Sequence, residues 1–346
     1  MRNKILAIFG LTFANLLAIS HATPSSSQYH IANRFHLDGD GGWDLLAIDE
    51  SSGRVFVSHS TMVQALDTRT GKFDTIPDTK GVHGIALAPD LQKGFTSNGK
   101  DSSVTVFDLK TLLTLGRVLV TGQNPDAILY DDFSQRVFAF NGKSNNATVI
   151  DAKTDSVLGT VALPGKPELA VSDGKGTIYV NIEDSSWVVA FDPKTLKVLR
   201  SWPIAPGKEP SGLAMDRKTN RLFIACSNKL MIVLDPKSGQ VVASLPIGDR
   251  VDGAAFDSQA KRAYASNGEG TLTVIQEYSK SKFKVLENVP TQKGARTIAV
   301  NNKTHHVYLP TADFGPAPAP TPDHPKPRPS ILPNSFTILD VAPGKE

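Results

Sequence analysis

From residue 43 onward the chain alternates short runs of branched, aromatic and small apolar residues with polar turns, and no stretch has the spacing of a long amphipathic helix. The runs recur in a fixed order. A small or apolar strand that closes on an acid is followed by a polar turn, a V-F-V-like strand, a loop, a third apolar strand and a turn opening with Asp. The first strand occurs seven times, as DLLAID, HGIALA, DAILYD, ELAVSD, SGLAMD, DGAAFD and RTIAVN. Their last residues (Asp49, Ala88, Asp131, Asp173, Asp216, Asp257 and Asn301) lie 39 to 44 residues apart. Such a period, with four short strands per unit, predicts an all-β, seven-bladed β-propeller of four-stranded antiparallel blades.

A ring of blades needs closure, because an open end leaves a strand edge free to pair with other chains. The last repeat stops after its third strand, SFTILD, while YHIANRFHLDG precedes the first repeat and reads as the missing fourth strand. Residues 29–37 are therefore expected to complete blade seven, with His30 and His36 as strand or rim residues. The domain expectation is a signal peptide over 1–22, a flexible leader over 23–28 and one propeller over 29–346. In the first segment, Arg2 and Lys4 precede an apolar run, and Ser20 and Ala22 flank His21 in a small-x-small cleavage pattern. Thr12 and Asn15 interrupt the run from Ile5 to Ile19, which is short for a membrane span of about 20 residues. The expected product is periplasmic or secreted, without a stable membrane span after cleavage.

Composition narrows the chemistry. One cysteine, Cys226, rules out an intrachain disulfide or a cysteine zinc cluster, and its place in the apolar strand RLFIAC reads as a buried thiol. The formal charge of +3 falls to about +1 without residues 1–22, so no basic nucleic-acid footprint shows in bulk. No G-x-S-x-G elbow supports a serine hydrolase, and no phosphate-binding glycine loop opens a helix. His305 and His306 adjoin in a turn expected opposite the candidate face. The aspartates opening DTRT, DLKT, DAKT, DPKT and DPKS read as turn formers whose side chains bond nearby amides.

In a four-stranded blade, the loop entering the inner strand and the loop joining strands two and three share a face. Asp44, His83, Asp126, Glu168, Ser211, Asp252 and Arg296, near the inner-strand starts, are expected around one channel mouth. Two readings of them stay open: a hydrated polar channel with Arg296 offsetting the acids, or a ligand site. Asp44, Asp126, Glu168 and Asp252 are the candidate ligands for a divalent cation. Neighbouring loops add His59, Asn98, Asn141, Asn145, Asn146, Glu183, Asp184, Ser227, Asn228 and Asn267. Asparagine and glycine in SNGK, NGKS and SNGE are expected as turn formers at positive φ. Trp43 and Trp187 supply candidate aromatic surface. The loop TADFGPAPAPTPDHPKPRPSILPN, over 311–334, is proline-rich and expected to be a semi-rigid extended arm. It is open whether that arm covers the mouth, docks a partner or hangs free, and whether His324, Lys326 and Arg328 in it meet an anion.

The segment TIYVNIEDSSWVVAFDPKTLKVLRSWPI resembles the YVTN-type β-propeller repeat through Tyr179, Val180, Asn181, Val188, Asp192, Thr195, Lys197 and Val198. The middle Thr of that motif is absent, and Gln276 replaces the terminal Asp in the sixth repeat. The resemblance spans residues 29–346. It implies an exported propeller of the YncE-like kind with a binding role and no established catalytic residues. Two classes of function follow. One is a binding or interaction module for a protein, glycan or small-molecule ligand, with single-stranded DNA admitted through exposed aromatics. The other is an enzyme at the channel mouth, either a calcium-dependent lactonase-like hydrolase using the four carboxylates or a propeller lyase pairing His83 with Glu168 or Asp126.

Overall fold

The computed structural model describes residues 29–321 and 327–344; the expected signal peptide and leader, with His324 and Lys326, lie outside them. Seven four-stranded antiparallel sheets are present among the described residues. The inner strands of blades 1 to 7 are Trp43–Asp49, Val82–Ala88, Pro125–Asp131, Pro167–Ser172, Pro210–Asp216, Val251–Asp257 and Ala299–Val300. Each meets the inner strand of the next blade, and that of blade 7 touches both blade 6 and blade 1. The ring is thus a seven-bladed propeller, as the repeat pattern predicts. No helix among the described residues is long and apolar enough to cross a membrane.

Alternation within each strand sends apolar side chains to both faces of a blade, so the core lies between blades rather than at one centre. Phe138 and Phe140 of blade 3 pack with Val180, Val189 and Phe191 of blade 4. Phe56 of blade 1 meets Phe107 of blade 2 at 5.8 Å between ring centroids. The repeated aspartates work in turns: Asp108 Oδ1 accepts from the Lys110 and Thr111 amides at 3.0 and 2.7 Å, and Asp192 Oδ1 from the Lys194 and Thr195 amides at 2.7 and 2.8 Å. These bonds favour the carboxylate and hold both groups below the usual aspartate range. Cys226 is buried, and burial pushes its thiol up to about 12.

Blade 7 is closed by Tyr29–His36, which pairs antiparallel with Thr337–Pro343. His30 and His36 lie on that strand, as expected. Its first residue is fully buried against blade 6: Tyr29 Oη lies 2.7 Å from Tyr264 Oη and accepts from Arg262 Nη1 at 3.1 Å. The closing strand is therefore fastened to two blades. Tyr29→Phe keeps the ring contact but leaves Tyr264 and Arg262 without this hydroxyl, and should cost about 1–3 kcal/mol in urea unfolding. A loss below roughly 0.5 kcal/mol would show that the backbone ladder alone holds the closure.

Candidate functional site

In blades 1 to 6 the second residue of the inner strand is Asp44, His83, Asp126, Glu168, Ser211 or Asp252. All six strands lose register with their neighbour at this point, for instance between Trp43 and Leu46 and between Pro125 and Ile128. A bulge bends the strand and re-aims a side chain. Carbonyls there accept from side chains of the preceding blade: Ser97 Oγ donates to the Asp126 carbonyl, Thr297 Oγ1 to that of Asp44 at 2.6 Å, and Asn181 Nδ2 to those of Ser211 and Gly212 at 3.1 and 3.0 Å.

Five of the expected mouth residues form one chain of charge. Arg296 Nε donates to Asp252 Oδ2 at 2.7 Å, and its Nη2 lies 3.3 Å from Asp44 Oδ1. The other Asp44 oxygen is 2.7 Å from His83 Nδ1, which is 3.7 Å from Asp126 Oδ1. Gly99 makes room for this imidazole, since a Cβ there would sit 2.8 Å from His83 Nε2. Glu168 stands apart from the chain, 2.7 Å from Lys166 Nζ, which also bonds Glu183. The four candidate carboxylates consequently do not close on one point. Asp252 is held by Arg296 and Glu168 by Lys166, while Asp44 and Asp126 come together with His83. One ligand atom from each of these three lies within 4.8 Å of the others, the one such group among the described residues.

Burial, with the Asp44 and Asp252 charges nearby, outweighs His83 and pushes Asp126 up to about 6. Burial, with Asp126 and Glu183, likewise raises Glu168 to about 8 against the pull of Lys166. The hydrogen bond to Asp44, then the Asp126 charge, outweighs desolvation and raises His83. Burial disfavours the Arg296 charge, but Asp252 and Asp44 more than restore it.

The loop residues divide. His59 is fully buried, with Nδ1 3.0 Å from Gln64 Oε1 and its ring 4.1 Å from that of Phe336. It is a core residue below the mouth. Trp43 is also buried, packed on Phe336 and Phe314 at 5.5 and 6.0 Å, whereas Trp187 is exposed. The turn-former reading needs correction in all three motifs: Gly99, Gly142 and Gly268 do not take positive φ, and of Asn98, Asn141, Asn145 and Asn267 only Asn145 does. The other three are buried and lock their hairpins through third-strand hydroxyls, as in Asn98 Nδ2 to Ser103 and Thr105 at 3.0 and 2.9 Å. His305 and His306 are drawn to different carboxylates, Asp257 and Asp340, each at 2.6 Å.

The proline-rich arm is tied at its base. Phe314 bridges Ile331, Gly315 N donates to Ser330 O at 2.9 Å, and Leu332 N donates to Asp313 O at 2.8 Å. Gln292 Nε2 donates to Ala312 O and Asp313 Oδ1 at 3.2 and 3.1 Å. Phe314 rests on Gly294, where φ is +92° and a Cβ would stand 2.6 Å from the ring. Arg328 and Ile331 thereby wall a cavity of about 580 Å³ against Trp43, Arg250, Lys293 and Arg296. Sequence reasoning missed Lys166, Arg250 and Lys293. A signal existed for the first two: each stands two residues before the bulged position, a column that takes positive φ at Gly81, Asn124, Glu209, Arg250 and Gly294.

The mouth should titrate. Asp126 keeps in the fold a proton that the unfolded chain releases above its ordinary value of 3.8, so stability falls as pH rises from there to about 6. His83 acts in the same direction: its contribution is whole below 6.5 and is lost as pH passes its raised folded value. In urea unfolding, Asp126→Asn should gain on wild type as pH rises from about 4 to about 6. Equal pH slopes for the two proteins would contradict this account.

No family model and no curated protein matches the chain. Solved structures do. A chain of the Kuenenia stuttgartiensis hydrazine synthase is 17% identical with a TM-score of 0.68, over 79% of this chain and 94% of that one. A chain of a mitotic checkpoint complex is 11% identical with a TM-score of 0.71, over the whole of both chains. The structure of U3-55K is 9% identical with a TM-score of 0.72, over 89% of this chain and 98% of that one. At such identities the likeness establishes the propeller fold alone.

Proposed function

We propose that this chain is an exported binding module, a propeller of the YVTN-repeat type, whose ligand seats at the channel mouth under the proline-rich arm. The carrying observation is the arm itself. Its hydrogen-bonded base sets Arg328 and Ile331 as a wall of the 580 Å³ cavity, a size suited to a small molecule. The mouth charges beside it are mutually paired, which suits a preformed polar rim. Export is supported by the cation, apolar run and small-x-small order of residues 1–22. The interaction role gains support from propeller neighbours, one of them a chain of a mitotic checkpoint complex.

A second reading rests on Asp44, His83 and Asp126, whose ligand atoms converge. One imidazole and two carboxylates suit zinc better than calcium, which takes six to eight oxygens. Arg296, 3.3 Å from Asp44, competes with any cation there. Asp44, His83 and Asp126 would hold such an ion, which would supply polarisation of a carbonyl and activation of water.

Thermal unfolding separates the two. Compounds that stabilise the wild-type protein, by about 2.7 kcal/mol at 100 times their Kd, should lose most of that effect in Phe314→Ala, which loosens the arm base. Stabilisers indifferent to that substitution would place binding elsewhere and end the proposal. A midpoint lowered by chelator, restored by zinc and insensitive to zinc in Asp126→Ala would install the cation-centred reading instead.

A further inference from the structure

The cavity under the arm has two unlike sides. One side carries Arg250 from the turn entering blade 6, Lys293 from the loop entering blade 7, Arg328 from the returning limb of the arm, and Arg296. Against these four cations stands a single carboxylate, Asp252, already engaged by Arg296 Nε at 2.7 Å. Arg250, Lys293 and Arg328 make no ion pair among the described residues, although elsewhere Arg117, Arg221, Lys93 and Lys166 each find an acid. The other side is apolar, formed by Trp43, Phe314, Val251 and Ile331. Asp249, bonded to Lys229, is the acid whose charge Arg250 feels, and three elements distant in sequence thus bring an excess of positive charge to one space beside an aromatic wall.

Like charges held together cost free energy that an anion removes on binding, and guanidinium groups match the paired oxygens of a carboxylate or phosphate. The apolar wall has no use in holding a bare inorganic ion, and the volume exceeds one. We infer that the cavity binds a small organic anion, a carboxylate or phosphate monoester carried on an aromatic or aliphatic body, with the anionic end toward Arg250, Lys293 and Arg328 and the body against Phe314 and Trp43. This inference rests on the mouth being the ligand site. A polymer such as single-stranded DNA fits less well, because it needs a continuous groove with successive stacking rings, and Trp43 is buried beneath the arm.

Calorimetric titration of the full chain at low salt with 2-naphthoate, 2-naphthyl phosphate, 2-naphthamide and inorganic phosphate tests it. At least one organic anion should bind roughly ten-fold more tightly than both the neutral amide and inorganic phosphate. Whichever anion is tighter identifies the source as an organic acid or a phosphate ester. The exposed pair change Arg250→Gln with Lys293→Gln should weaken that binding roughly ten-fold without lowering the unliganded unfolding midpoint. If the amide binds as well as the anions and its binding is lost in Phe314→Ala, the mouth remains the ligand site and the anion inference fails. Inorganic phosphate binding as tightly as the organic anions would remove the apolar half of the inference. Anion binding indifferent to every one of these substitutions would overturn both readings, and no binding of any probe at millimolar concentration would overturn the anion inference.

Discussion

Ring closure is the constraint on which the rest of this molecule depends. Each blade has two apolar faces, so no sheet can bury itself alone, and every blade relies on a neighbour on both sides. Blade 7 reaches that state only when Tyr29–His36 pairs with Thr337–Pro343 across almost the whole length of the chain. The candidate site sits at this same seam. The charge chain from Asp252 through Arg296 to Asp44 and His83 runs from blade 6 over blade 7 to blades 1 and 2. Thr297 adds a bond from blade 7 to the Asp44 carbonyl. Closure therefore assembles the mouth network as well as the fold.

Within the ring, a single backbone device sets the electrostatics. The bulge repeated at the second inner-strand residue points successive polar groups toward one axis, where proximity of like charges would be unfavourable without partners. Arg296 and Lys166 supply them for Asp44, Asp252 and Glu168. Burial still outweighs the partner at Glu168 and outweighs the more distant His83, 3.7 Å away, at Asp126, so both carboxyls hold their protons more tightly than usual. The paired charges of the mouth contrast with the unpaired cations under the arm. Fixed pairs define shape, whereas unpaired groups have free energy left to gain from a ligand.

Much of this was legible in the chain because a propeller repeats its register. Seven apolar strands at nearly constant spacing locate every blade, and aligning them puts Asp44, His83, Asp126 and Asp252 in one column. Failures came where a side chain's direction depends on a neighbouring blade. His59 and Trp43 stand beside the mouth in sequence, yet Gln64 and Phe336 draw the first inward, and Phe314 and Phe336 cover the second. Asparagine tolerates positive φ, which suggests a turn former at Asn98, but the hydroxyls of Ser103 and Thr105 hold it as a hairpin lock. Proline content gave no hint of the position of the arm's base, which Gln292 and Gly294 contact from the loop entering blade 7.

The arm also answers a problem inherent in a repeating ring. Blades of similar sequence present similar inner edges, and a site built only from equivalent positions would offer a ligand several nearly interchangeable orientations. Discrimination needs one element that the repeat does not copy. Residues 312–336 are that element, and they enter at blade 7, next to the seam where Arg296 and Lys293 already break the pattern of acids. A loop inserted there leaves the ladders of the other six blades untouched, and its closure entropy grows only slowly with length. The prolines fix φ at their own positions, and the paired base between Phe314 and Ile331 sets Arg328 and Ile331 against the cavity. The symmetric ring thus provides rigidity, and the single asymmetric arm provides the wall that gives the mouth a direction.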